Sequence, residues 1–234
     1  MSTKVKAIVL GGTNIKEKDR IVQLFTLEQG KISASMKGVR GDKAKLKSAK
    51  EPFCFGEFII EEGKGVNIIT SVDITDNFFE LTKDIDKYYE GCAILDIVSK
   101  VVLEPNPLLF IELIKALKTL CYDGAKKFYV VDKFLITVFG AMGYNFLTER
   151  CSSCGGVLSN KYLNLDIGEI VCPSCKTNLS FPISNVCYSA IRVLNNTDYD
   201  KLSTLKLGGN GEVQAYNLFC QNFEWRTGLK LISF

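Results

Sequence analysis

The sequence predicts an α+β protein: a five-stranded β-barrel at the N-terminus, then an α-helical domain that carries an inserted four-cysteine ribbon. Three observations predict it. Short runs of β-branched and aromatic residues, several alternating with period two, fill residues 5 to about 74. Near residue 76 the apolar spacing changes to three and four. Two Cys-x-x-Cys pairs, Cys151–Cys154 and Cys172–Cys175, then interrupt the helical pattern. The expected parts are 1–76 for the barrel, 77–150 with 184–234 for the helical domain, and 151–183 for the ribbon.

The five strands are expected in "VKAIVLGG", "RIVQLFTL", "KISASMKGV", "FGEFIIEE" and "GVNIITSVDI". In the third, Ile32, Ala34 and Met36 point one way while Lys31, Ser33, Ser35 and Lys37 point the other. "EEGKGV" marks a hairpin at Gly63 and Gly65, because glycine supplies the positive φ of tight turns. "RGDKAKLKSAKEP", between the third and fourth strands, is too polar for a strand and reads as a long basic loop.

The first helix is expected over "NFFELTKDIDKYYEGCAILDIVSKVVL", with Leu81, Ile85, Tyr88, Cys92 and Leu95 as its apolar stripe. "EPNP" breaks it, and Pro107 opens the second helix, "PLLFIELIKALKTLCY". "AKKFYVVDKFLITVFGAMGY" makes a third, and "SNVCYSAIRVLNNT" and "EVQAYNLFCQNFEWRTGL" follow the cysteines, joined by the turn "LKLGGNGE".

Between the two cysteine pairs lie 17 residues, within the range of four-thiolate zinc sites. Two cysteines three apart on a tight turn aim both sulfurs at one cation, and Gly155 and Gly156 free the backbone to wrap there. The spacer "NKYLNLDIGEIVC" turns at Gly168 and brings the second knuckle beside the first, as in a zinc ribbon. Zinc is favoured over iron, since no partner site for electron transfer is evident, and two matched pairs exceed what thioredoxin-like redox chemistry needs. Four protein ligands leave no position for water, so Cys151, Cys154, Cys172 and Cys175 are expected to hold structural rather than catalytic zinc.

The other cysteines, Cys54, Cys92, Cys121, Cys187 and Cys220, sit in apolar surroundings and read as core residues rather than a disulfide scaffold. No apolar stretch is long enough to span a membrane and no signal segment is recognisable, so the expected location is the cytoplasm. The chain contains no histidine, which excludes every mechanism that relies on an imidazole base. Glu61, Glu62, Asp73 and Asp76 read as solvated strand ends, and "LGGTN" and "LGGNG" lack the spacing of a phosphate or dinucleotide loop. No enzyme is expected.

Charge is unevenly spread, which fits either a polyanion partner or a merely solvated face. Residues 1–50 hold 12 Lys/Arg against 4 Asp/Glu, whereas residues 51–150 hold 10 against 16. The positive cluster comprises Lys16, Lys18 and Arg20, then Lys37, Arg40, Lys43, Lys45, Lys47 and Lys50. A small five-stranded barrel with a cationic groove is a frame for single-stranded nucleic acid, and Phe25, Phe53, Phe55 and Phe58 are available either as stacking platforms or as barrel core.

The order of these parts, with "DRIVQLFTLEQGKISASMKGVR" and "PFCFGEF" in the barrel, "GYNFLTERCSSCGG" entering the clip and "GLKLISF" at the end, resembles the RecO family of bacterial DNA repair and recombination mediators. The resemblance covers essentially the whole chain. It implies an OB-fold joined to a helical domain with a zinc finger, which binds single- and double-stranded DNA and anneals complementary strands. It also implies partners: RecR, single-stranded-DNA-binding protein and, indirectly, RecA, at the nucleoid. "MKGVR" aligns with the family's basic region and puts Lys37 and Arg40 first among DNA contacts, followed by Lys16, Lys18, Arg20, Lys43, Lys45 and Lys47. This loop is richer in lysine than is usual for the family, so it offers fewer bidentate phosphate contacts. A different class, a zinc-ribbon adaptor that binds protein in transcription or ribosome assembly, predicts no strand annealing.

Overall fold

In the computed structural model, which describes residues 2–41, 46–63 and 65–232, alternation in the N-terminal segment becomes a closed barrel. Its strands are β1 (Ser2–Ile15), β2 (Asp19–Thr26), β3 (Gly30–Met36), β4 (Phe55–Glu61) and β5 (Asn67–Asp76), in the order β1-β2-β3-β5-β4. All pairs are antiparallel except β3–β5, which closes the barrel in parallel through Ala34 opposite Asn67 and Ser35 opposite Ile68. Val5, Ala7 and Val9 of β1 point inward and meet Val22, Leu24, Ala34, Met36 and Phe58.

The outer face of β1 is covered too. Ile8 is fully buried and sits opposite Phe25 on β2 and Phe55 on β4. Both rings meet Phe110 of a helix, at 5.3 and 6.2 Å between centroids. Burial on both faces is why "AIVL" is a continuous apolar run rather than an alternating one. At Gly56 a Cβ would lie 2.2 Å from the Asp73 carbonyl oxygen, so the β4–β5 pairing requires glycine there.

The first helix starts later than the sequence pattern predicts. Phe79–Lys83 is a 3₁₀ turn, Asp84 is extended, and α1 runs from Ile85 to Val101. The break at Asp84 resets the helical phase. Ile85 is therefore 71 % exposed and Tyr88 and Cys92 are half-buried, whereas Leu81 and Leu95 of the expected stripe are buried, as are Glu90, Ala93, Ile94, Ile97 and Val98. α2 (Pro107–Lys118) begins at the expected proline and ends in a π-helical turn, Thr119–Asp123, stopped by Gly124 at φ 70°.

Two compact units result: Met1–Ile85 with Ile94–Ile114, and Asp86–Ala93 with Lys115–Phe234. The second contains α3 (Tyr129–Ala141), the small sheet β6 (Lys161–Asn164), β7 (Glu169–Val171) and β8 (Ser180–Ile183), then α4 (Asn185–Asn196) and α5 (Gly211–Thr227). Its sheet order is β7-β6-β8. Phe139 of α3 is the aromatic centre, with Phe146, Phe219 and Phe223 at 5.1, 5.6 and 6.5 Å. Ser184 caps α4 by accepting the Cys187 N–H at 3.0 Å. A 3₁₀ segment, Tyr199–Thr204, lies between α4 and α5 where the sequence reading has only a turn.

Candidate metal centre and nucleic-acid interface

The clip assembles through backbone bonds. The Cys151 N–H donates to the Gly156 carbonyl at 2.8 Å, and Gly155, at φ 73°, donates its N–H to the Cys151 carbonyl at 2.8 Å. The β6–β7 hairpin turns at Gly168, at φ 71°, and carries the second pair back to the first. Ser152 then donates to Ile170 of β7 at 3.1 Å, and the Cys172 N–H donates to the Cys151 sulfur at 3.3 Å.

All four sulfurs, from Cys151, Cys154, Cys172 and Cys175, lie within 4.8 Å of one another. The Cys154 and Cys172 sulfurs are 3.9 Å apart. A tetrahedron with zinc–sulfur bonds of about 2.3 Å has edges of about 3.8 Å, so the spacing fits a four-thiolate metal. Charge fits as well. Burial pushes the Cys151 thiol up, but N–H groups of Cys172, Cys154 and Ser153 outweigh it and bring the thiol down to about 6. Hydrogen bonds with the Cys172 and Cys154 thiols push Cys175 up to about 12. Sulfurs this close cannot all be anionic unless a cation stands among them. Four protein donors close such a site to substrate.

At one end of the barrel the structure gathers several of the sequence-predicted cations. Lys16 and Lys18 form the β1–β2 turn, where Lys16 adopts φ 53°. Arg40, after β3, donates its backbone N–H to the Lys18 carbonyl at 3.1 Å and its guanidinium to the Lys16 carbonyl at 3.2 Å. Asp19 accepts the Gly38 N–H at 2.8 Å. These bonds pin the β1–β2 turn to the segment after β3 and bring Lys16, Lys18, Lys37 and Arg40 together, all exposed. Arg20 lies opposite Met36 in the β2–β3 register and donates to Asn14 at 3.2 Å. Among the described residues none of these five cations forms an ion pair. Asp19 was not singled out by sequence reasoning; its partner is 19 residues away, and no local pattern marks it.

Among the described residues Lys47 forms no hydrogen bond or ion pair with that group. It precedes the 3₁₀ turn Ser48–Lys50, anchored by Ala49 in the barrel core, and it is exposed. Lys50 pairs with Glu51. Lys43 and Lys45 lie outside the described residues. Of the two roles open to the aromatic residues, the structure takes the core: Phe25, Phe53, Phe55 and Phe58 are all buried, and Phe25 and Phe55 pack on Phe110. A ring held in core packing offers no face to a base.

A five-stranded barrel with cations gathered at one end, together with a helical unit bearing a four-thiol clip, defines the class of chain by its parts. The comparisons narrow this class. The model of the Recombination protein O N-terminal domain matches residues 1–78, and that of its C-terminal domain matches residues 82–233. The chain belongs to the RecO family of DNA repair proteins. It is similar to DNA repair protein RecO of Clostridium novyi, 28 % identical over 219 residues that cover 92 % of this chain and 85 % of the relative. It is likewise similar to that of Acetivibrio thermocellus, at 28 % over 86 % of this chain and 81 % of the relative, and to that of Desulfitobacterium hafniense, at 24 % over 97 % and 89 %. No helix among the described residues is long and apolar enough to cross a membrane.

Proposed function

We propose that the protein is a non-enzymatic recombination mediator whose barrel, residues 1–76, holds single- and double-stranded DNA by charge and speeds the annealing of complementary strands. One observation carries this reading: Arg40 and Asp19 fasten two loops so that Lys16, Lys18, Lys37 and Arg40 share one end of the barrel without acidic partners among the described residues. Phosphate then meets a cluster fixed in advance, and each contact releases condensed counterions. Lysine supplies most of that charge as point cations, which favours backbone grip over base reading.

Cys151, Cys154, Cys172 and Cys175 hold structural zinc in this reading, and the metal braces the ribbon. The protein acts in the bacterial cytoplasm at the nucleoid, with RecR, on DNA coated by single-stranded-DNA-binding protein, and so promotes RecA loading. Annealing of complementary oligonucleotides without ATP is the test. Acceleration at stoichiometric protein supports the mediator, and a rate equal to the protein-free rate supports a protein-binding zinc-ribbon adaptor instead.

A further inference from the structure

The interior of the helical unit holds carboxyl groups that DNA binding does not use. Asp132 on α3 is fully buried, and neither of its oxygens has a hydrogen-bond partner. Glu90 on α1 is 2 % exposed and accepts the N–H groups of Phe128 and Val131, both at 3.3 Å. Phe128 precedes α3 at φ 72° and supplies no side-chain cap, so Glu90 caps α3 from another helix. Glu212 on α5 is 3 % exposed; Lys126 holds one of its oxygens at 2.7 Å, and the other is buried without a partner.

Every element around Asp132 contributes a group that matters. Glu90 from α1 and Glu212 from α5 oppose its ionisation. Cys187 of α4 and Tyr216 and Cys220 of α5 face it as neutral groups, with burial pushing the two thiols up to about 12 and about 11. The approach to α3 carries Lys126 on Glu212 and Lys127 on Asp86, the latter at 2.8 Å. The 3₁₀ segment contributes Tyr199, with Lys133 of α3 itself over its ring at 5.2 Å. Among the described residues no ammonium or guanidinium group is paired with Asp132.

We propose that Glu90, Asp132 and Glu212 form a proton-operated latch at the first turn of α3: protons on Asp132 and Glu90 let the three acids share one interior, and their release to solvent loosens Lys126–Val131. Burial is the leading reason that both acids keep their protons. It holds Asp132 well above the ordinary carboxylate range and pushes Glu90 up to about 7, against the pull of the two N–H donors. The sign follows. Folded acids that outbid the unfolded chain for protons add stability that is full below the unfolded values, near pH 4, and is lost as pH rises through the folded value, about 7 for Glu90. Zinc held by thiolates has the opposite dependence, because acid displaces it.

The test is thermal unfolding of the full, zinc-loaded chain from about pH 6 to about pH 8, for the wild type and for Asp132→Asn and Glu90→Gln. One released proton lowers the wild-type Tm by about 3–5 °C per pH unit. Each variant is expected to lose part of that fall and to match or exceed the wild-type Tm at the alkaline end. A variant slope equal to that of the wild type, or a wild-type Tm that stays level or rises, overturns the latch. Should the variants not fold, the wild type alone decides. An infrared carbonyl band of a protonated carboxylic acid at neutral pH, disappearing on alkalinisation together with amide protection at Phe128 and Val131, supports the latch; no such band, or unchanged protection, overturns it.

Discussion

The barrel and the clip are both small β-structures, yet they gain order from different sources. Five strands of seven to fourteen residues close around Val5, Val9, Leu24, Met36 and Phe58, so the barrel carries its own core. The clip has strands of three and four residues, with Leu163, Ile170 and Val171 among its buried side chains. Sheets that small are marginal alone, and four thiols within 4.8 Å of one another are suited to a metal that would reinforce so small a core. The difference separates roles. A barrel stable without its rim can leave exposed cations there for a ligand, whereas the four thiols of the clip face one another.

The sharpest way to break this contrast is Cys172→Ser. Removing one of four ligands forfeits much of a binding free energy that reaches about 10–16 kcal/mol in isolated zinc peptides, so stoichiometric zinc and the near-ultraviolet signal of the second unit should both be lost. Retained zinc and an unchanged Tm would end the brace assignment. Phe58→Ala in the barrel core should cost about 3–5 kcal/mol in denaturant unfolding while zinc content stays at one per chain. Combined replacement of Lys16, Lys18, Lys37 and Arg40 by Ala should weaken single-stranded DNA binding about 100-fold at low salt, with stability nearly unchanged. The smallest effect is expected from Ser184→Ala, which removes the α4 cap and should lower stability by about 1 kcal/mol without touching zinc or DNA binding.

Much of this contrast is legible in the sequence. Four cysteines at fixed spacing report a tetrahedron because the ligand geometry constrains the chain locally, and the alternation of Ile32, Ala34 and Met36 reports a barrel face. Other features depend on partners distant along the chain. Asp84 breaks the first helix by adopting an extended backbone inside a pattern that otherwise runs on, and Phe25 and Phe55 become core only because Phe110 covers them. Glu90 and Asp132 look like any solvated acids in "DKYYEGC" and "YVVDKF". Their burial is a property of helices meeting, and no spacing encodes it. The cations were visible as a cluster, but the Arg40 and Asp19 bonds that gather four of them were not.

The salt dependence of single-stranded DNA affinity tests most directly whether the barrel end grips DNA. With zinc-loaded protein, log affinity against log salt should fall steeply for the wild type, and the K16A/K18A/K37A/R40A variant should be shallower by about 2–3, at about 0.7 per lost phosphate contact. Equal slopes in two folded, zinc-loaded proteins would contradict the account and place the phosphate contacts elsewhere on the chain.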